Sequence, residues 1–360
     1  MKRRDYLGAA LAVGTAGIAG CTDLVETREV RSTPPILEDR PDAVYHPTHV
    51  DGMAMVGTGE SDDGEYAAAL TYTYPHRFWR VDGSTESVED ATLEDAGGSK
   101  DVHLMSLVWD PETGRVLPES GVSVDIAKDG DPLDEQVIYP MLSQRMGFHY
   151  GANFALDGDG DYEVTVTVGG TSVRRTGAYR GRFGEAASVT VPFEYSTEAR
   201  DGIPVERTPE KAGERDAPSV MSMMETPLGV APDPASLPGE HRGTAESGDA
   251  RLAVVTLEAP PAGVDGEGPY LAVSARTPYN GLVIPMMQLD ATLRRGGEAV
   301  FDGRLTRTFD DELDYHYGAV VDGVEPGDEL IVGVRTDPQV ARHEGYETAF
   351  LDMPDASLTL

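Results

Sequence analysis

The 360-residue chain has a single cysteine, Cys21, so no disulfide can form within it and its stability must come from packing and hydrogen bonds. Lysine is nearly as scarce, and the 29 basic residues are almost all arginines. Against them stand 63 Asp and Glu, a formal charge of -34. A body so acidic repels nucleic acid and anionic headgroups, which excludes nucleic acid as a partner. Enzymatic signatures are missing as well: there is no G-x-S-x-G elbow, no Walker A loop and no HExxH. GTGES, starting at Gly57, lacks the third glycine and following helix of a dinucleotide site. Paired carboxylates discriminate nothing in a chain with 63 of them. These absences point to a protein that is not an enzyme. Long apolar runs are absent too, and the one near the N-terminus is too short and glycine-rich to span ~30 Å of hydrocarbon.

What is present begins with an address. MKRRDYLGAALAVGTAGIAGC opens with Arg3-Arg4, continues through Tyr6-Leu7 into small apolar residues, and ends at Cys21. The twin arginine resembles a Tat signal, and Ile18-Ala19-Gly20-Cys21 resembles a lipobox. Residues 1–20 are therefore expected to be a removable signal and Cys21 the lipidated residue, which fixes the chain on the extracytoplasmic face of the cell membrane. Residues 21–40 carry charges and a Pro-Pro pair without hydrophobic periodicity, as a tether would. The acid excess with few lysines resembles the proteome of salt-loving archaea, where a Debye length of ~3 Å near 1 M salt mutes self-repulsion.

From Glu65 onward, EYAAALTYTY, VHLMSLVW, GVSVDIA, YEVTVTVGG and ASVTVPFEY are short, rich in β-branched and aromatic residues, and separated by Gly, Asp and Pro turns. This predicts an all-β fold of antiparallel sandwiches. Residues 198–245 hold several prolines and charges without a sustained apolar run and read as a linker. Residues 101–168 align with 268–335 at a constant offset of 167, pairing Pro111 with Pro278, Gly114 with Gly281 and His149-Tyr150-Gly151-Ala152 with His316-Tyr317-Gly318-Ala319. Two immunoglobulin-like β-sandwich domains in tandem are therefore expected, over residues 41–197 and 246–360, with an insertion near residues 80–100 of the first.

Within the first, His103 and Met105 are two apart on a predicted strand and share a face. Met141, Met146 and His149 follow in YPMLSQRMGFHYGAN. Imidazole with thioether favours copper, with iron or zinc as poorer guests, because soft sulfur selects Cu(I). The expected metal site is His103, Met105, Met141 and His149. A secondary His/Met cluster is His46, His49, Met53 and Met55, with Met146. In the second domain Tyr270, Ala272 and Thr308 replace His103, Met105 and Met141 while His316 persists, so the first domain is the one expected to bind metal. Arg174, Arg175, Arg180 and Arg182 form a basic cluster that balances local Asp and Glu. Asp157, Asp159 and Asp161 lack the full EF-hand pattern and read as a hairpin turn.

The DVHLM and PML...FHYGAN segments resemble the bacterial extracytoplasmic Fe2+-transport family, immunoglobulin-like proteins that bind copper and assist iron uptake beside a ferrous permease. The resemblance implies ligand roles for His103, Met141 and His149. It departs from the family where Met105 stands at a glutamate position, where the Met141–His149 loop is one residue longer, and where GGTSVRRTGAYRGRF has arginines instead of a further histidine. The implied function is a lipid-anchored copper- or iron-binding protein assisting iron uptake with a membrane permease. The competing expectation is a structural or interaction module of the cell envelope with its histidines satisfied internally.

Overall fold

Strands form where the sequence alternates or runs apolar between turn residues. In this computed structural model the described residues are 36–81, 92–94, 100–222 and 226–360. Cys21, the signal motifs, most of the 80–100 insertion, Met223 and Met224 fall outside them. The described residues belong to one compact unit, Pro34–Leu360, and the architecture is all-β with mostly antiparallel sheets.

In the first half, one sheet orders Ala54–Glu60, Ala67–Thr73, Val102–Trp109, Gly147–Phe154 and Tyr139–Ser143 side by side. It faces a second sheet of Ala187–Tyr195, Gly160–Thr171, Ser120–Lys128 and Asp131–Val137. Ala187–Tyr195 alternates buried Val189, Val191, Phe193 and Tyr195 with outward residues, the period-two signature of a sheet wetted on one side. Val102–Trp109 is buried along nearly its whole length. Its near-continuous apolar run serves two interiors: Leu104 and Val108 enter the main core, while Met105 and Leu107 join a separate cluster with Ala69 and Met146.

The second half repeats the pairing 167 residues on. Gly151 opposes Met105 and Asn153 opposes His103, as Gly318 opposes Ala272 and Val320 opposes Tyr270. His149 opposes Met141, as His316 opposes Thr308. Left-handed backbone recurs at the same offset in Glu119 and Met286, Gly147 and Asp314, and Phe183 and Phe350. Side chains with a Cβ rarely adopt that conformation, so its recurrence marks the same turns in both halves.

The halves also exchange short segments. Ala341–Arg342 adds in parallel to the first half's Tyr139–Ser143, with Ala341 at Met141 and Arg342 at Leu142. Arg174–Arg175 adds in parallel to the second half's Glu298–Asp310, with Arg174 at Thr308 and Arg175 at Phe309. These two contacts are equivalent under the same 167-residue offset. Ion pairs cross the junction, Arg115 to Asp314 at 2.8 Å and Arg307 to Glu119 at 2.7 Å, and one hydrophobic core runs through both halves. The stretch 198–245 holds the short helix Thr197–Asp201 up to its Asp201 end, the strand Val205–Arg207 paired with His49–Asp51, and most of the strand Glu240–Ser247.

Candidate metal centre

On a strand, alternate residues share a face, so His149, Gly151 and Asn153 lie together, flanked by His103 on one neighbour and Met141 on the other. His103 and His149 are fully buried. A third imidazole arrives from the other half: His343 follows the inserted Ala341–Arg342 segment, and its backbone N–H donates to Leu142 O at 3.2 Å. Arg342 fixes that segment from within. Its guanidinium is fully buried, donates to the carbonyls of Pro338 (3.2 Å) and Ala349, and lies 3.7 Å from the Asp337 carboxylate. One ring nitrogen each from His103, His149 and His343 fall within 4.8 Å of one another, the one such grouping among the described residues.

The hydrogen bonds settle which nitrogens carry protons. His149 Nδ1 sits 3.0 Å from Gly147 O, which only accepts, so Nδ1 carries the hydrogen and Nε2 the lone pair. The Asn153 amide is oriented because its Nδ2 donates to His76 O at 2.8 Å while its Oδ1 accepts from His76 N at 3.1 Å. Oδ1 is therefore the atom 2.9 Å from His103 Nδ1, which must donate, and the His103 lone pair is again on Nε2. The Nε2 atoms of His103, His149 and His343 are all buried without a hydrogen-bond partner. A buried acceptor left unpaired costs on the order of 1–3 kcal/mol.

Burial, reinforced by His76 and other neighbouring imidazoles, pushes His103 and His343 well below the ordinary histidine range. Burial likewise lowers His149, to about 4, with His76 adding to the effect. All three are neutral at pH 7, the form that ligates metal. Imidazole nitrogens at about 2.0–2.1 Å from one ion stand roughly 3.3–3.6 Å apart, so the three need close by only about an ångström.

Gly151 leaves the space. A Cβ there would lie 2.9 Å from His103 Nε2 and 3.1 Å from Met141 Sδ, which puts the thioether beside the imidazoles. Met105, the remaining member of the expected site, packs with Ala69, Leu107 and Met146, against which Met53 also lies. The secondary His/Met set is dispersed. His46 bonds the backbone of Pro47 at 3.1 Å, His49 lies 3.6 Å from Asp51 and 3.5 Å from Glu344, and Met55 is exposed. His343 is the residue that reading the sequence overlooked.

The equivalent position in the second half is filled differently. His316 Nδ1 donates to Asp314 O at 2.9 Å, and its Nε2 accepts from the Tyr270 hydroxyl at 3.1 Å. Arg174 Nη2 donates to Tyr270 Oη and Thr308 Oγ1, each at 2.8 Å. A Cβ on Gly318 would strike the Tyr270 ring. Every polar group here has a partner inside the protein, and a guanidinium occupies the place beside His316. The rest of the basic cluster is also engaged: Arg175 donates to Arg182 O, and Arg182 pairs with Asp110 and Glu112.

Among the described residues no helix is long and apolar enough to cross a membrane. Curated proteins include no match to the chain. A family model described as a domain of unknown function (DUF7350) matches residues 235–359. Two solved structures of FetP from uropathogenic Escherichia coli are similar to it. A copper-bound variant has 22% identity and a TM-score of 0.31, covering 40% of this chain and 97% of its own. The protein as isolated after expression in the periplasm has 23% identity and a TM-score of 0.29, covering 41% of this chain and 96% of its own. The chain is thus similar to FetP over two fifths of its length and to the DUF7350 domain over roughly its last third.

Proposed function

We propose that the chain is an extracytoplasmic, lipid-anchored protein that binds one copper or iron ion and assists iron uptake beside a membrane permease. The observation that carries the metal is the trio of buried, unpartnered Nε2 atoms on His103, His149 and His343. Neutral imidazoles with a nitrogen of each within 4.8 Å of the others gain nothing from one another. A cation supplies the missing partner for all three at once. With Met141 sulfur beside them the donor set suits copper best, Cu(I) above all, and accommodates Fe(II) less well.

The N-terminal motifs ending at Cys21 support the anchor, and the DVHLM and FHYGAN segments, through the family they resemble, support iron uptake and the permease. The recurring registers support descent from two copies of one sandwich. On that reading the first copy's site is completed by the second copy's His343. Nothing in the site calls for catalysis of a covalent step.

Titration with copper and iron of the chain from residue 22 onward, in high salt to suppress loose binding by carboxylates, tests the reading. One tight equivalent is expected, lost in a His103→Ala, His149→Ala double variant and equally in His343→Ala. Absence of saturable binding under oxidising and reducing conditions would leave an interaction module of the cell envelope as the better account.

A further inference from the structure

A fourth imidazole stands just outside the triad. The His76 ring lies 4.7 Å from that of His103 and 5.2 Å from that of His343, centroid to centroid. It does not belong to the group whose nitrogens lie mutually within 4.8 Å, so it flanks the His103–His343 side. His103 and His149 are fully buried, whereas the His76 side chain keeps 16% of its exposure and His343 is half-buried. The surface nearest the site is therefore the one at His76 and His343.

Two independent contacts hold His76 in place. Its Nδ1 lies 3.1 Å from Asp51 Oδ2, and an ionised carboxylate only accepts, so Nδ1 carries a hydrogen and Nε2 is the nitrogen left for a cation. The backbone N–H and C=O of His76 are both clamped by the Asn153 side chain, the same amide that orients His103. One amide thus sets the two rings relative to each other. Asp51 is in turn 3.6 Å from His49, whose other nitrogen is 3.5 Å from Glu344, the residue after His343. A carboxylate behind an imidazole is the arrangement that fixes and strengthens metal-binding histidines.

We infer that His76 is the entry ligand of the metal centre, taking the cation from solvent on Nε2 and handing it to the triad, with Asp51 as its positioning residue. The inference rests on the metal-site reading above. The transfer exchanges one nitrogen–metal bond for another and moves no electron. Because His76 is absent from the final ligand set, its loss must slow entry and exit alike and leave the equilibrium nearly untouched, whereas loss of a resident ligand weakens binding itself.

Stopped-flow quenching of Trp79 and Trp109 fluorescence by Cu(II) separates these cases in wild type, His76→Gln, Asp51→Asn and His103→Ala. His76→Gln is expected to lower association and dissociation rates by a similar factor, about tenfold, with one equivalent retained and Kd nearly unchanged; Asp51→Asn should act in the same direction, more weakly. Thermal unfolding of the metal-free variants checks that the fold is intact. Unchanged rates in His76→Gln would overturn the inference. So would a loss of affinity as large as that of His103→Ala, since His76 would then be a resident ligand. Failure of wild type to take up copper would instead refute the metal-site reading beneath it.

Discussion

Replacing Gly151 by alanine is the smallest change that tests where the ion sits. The backbone at Gly151 is not left-handed, so an L-residue fits it, and the added methyl meets His103 Nε2 at 2.9 Å, Met141 Sδ at 3.1 Å and Leu104 O at 3.2 Å. It enters the space between the donors and meets the main core only at the backbone oxygen of Leu104. In the metal-free protein two effects oppose each other. Losing glycine's freedom in the unfolded chain stabilises by about 0.4–1 kcal/mol, and the close approach costs about 1–3 kcal/mol. Metal binding has no such compensation, because a carbon and a cation cannot share the space. Wild type at a copper concentration of about 100 Kd should gain roughly 2.7 kcal/mol. At about 2.1 cal/mol/K per residue, the unit Pro34–Leu360 shifts its Tm by about 1.5 °C per kcal/mol, so copper should raise Tm by roughly 4 °C. Gly151→Ala should melt at most about 4 °C below wild type without copper and show almost none of the rise with it. Differential scanning calorimetry with and without copper reads both numbers. A full copper-induced rise in Gly151→Ala would refute the placement of the ion between His103 and Met141.

Two further outcomes follow from the buried histidines and their neighbours. Burial holds both His149 and His316 near 4, below the ordinary 6.5, so between those values the unfolded chain binds more protons than the folded one. Stability of the metal-free protein therefore falls as pH drops from 6.5 toward 4, by about 3 kcal/mol for each of the two; urea midpoints at pH 7 and 4.5 should differ less in His316→Gln than in wild type, and an equal difference would refute the assignment. Arg174→Ala removes the donor to Tyr270 and Thr308 and should cost about 2 kcal/mol, seen as a lower Tm, while copper stoichiometry stays at one. A second copper equivalent in that variant would show that Tyr270, Thr308 and His316 are themselves a competent site.

The all-β fold was legible because its evidence is local: short β-branched runs between turns, with period two on the wetted sheet and continuous apolar character on Val102–Trp109. The convergence of His103, Met141 and His149 on one face was legible from strand parity and the HYGAN frame. Met105 shows the limit of parity, which gives the face of a residue but not its neighbours, and this side chain turns to Met146 and Leu107. His343 was hidden for a different reason. It is contributed across an exchange between halves nearly two hundred residues apart, and no local pattern marks that. Yet the offset of 167 does not stop at residue 335. Carried on, it pairs Val173 with Val340, Arg175 with Arg342, Tyr179 with Tyr346 and Phe183 with Phe350, and sets His343 against Thr176. His343 thus lies in the second half's counterpart of the first half's arginine-bearing stretch.

The exchanged segments set the corresponding places in the two halves apart. In each, a short parallel strand from the opposite half runs beside a strand whose residue opposes a buried histidine, Met141 facing His149 and Thr308 facing His316. Around His316 the partners are Tyr270 and Thr308, whose hydroxyls accept hydrogen bonds, and the incoming strand brings Arg174 to donate them. Around His149 they are a second imidazole, whose Nε2 offers a lone pair, and a thioether, and the incoming segment brings alanine at the arginine's position and a third imidazole two residues later. Both places are built to enclose positive charge within an acidic body. In the second half that charge is part of the chain and cannot leave, and the groups around it that accept from the guanidinium are the hydroxyls of Tyr270 and Thr308 and the carbonyl of Gly318. On the proposed reading the first half takes that charge from outside, and the imidazole nitrogens left unpaired around Gly151, with Met141 sulfur beside them, are those that a soft metal ion satisfies.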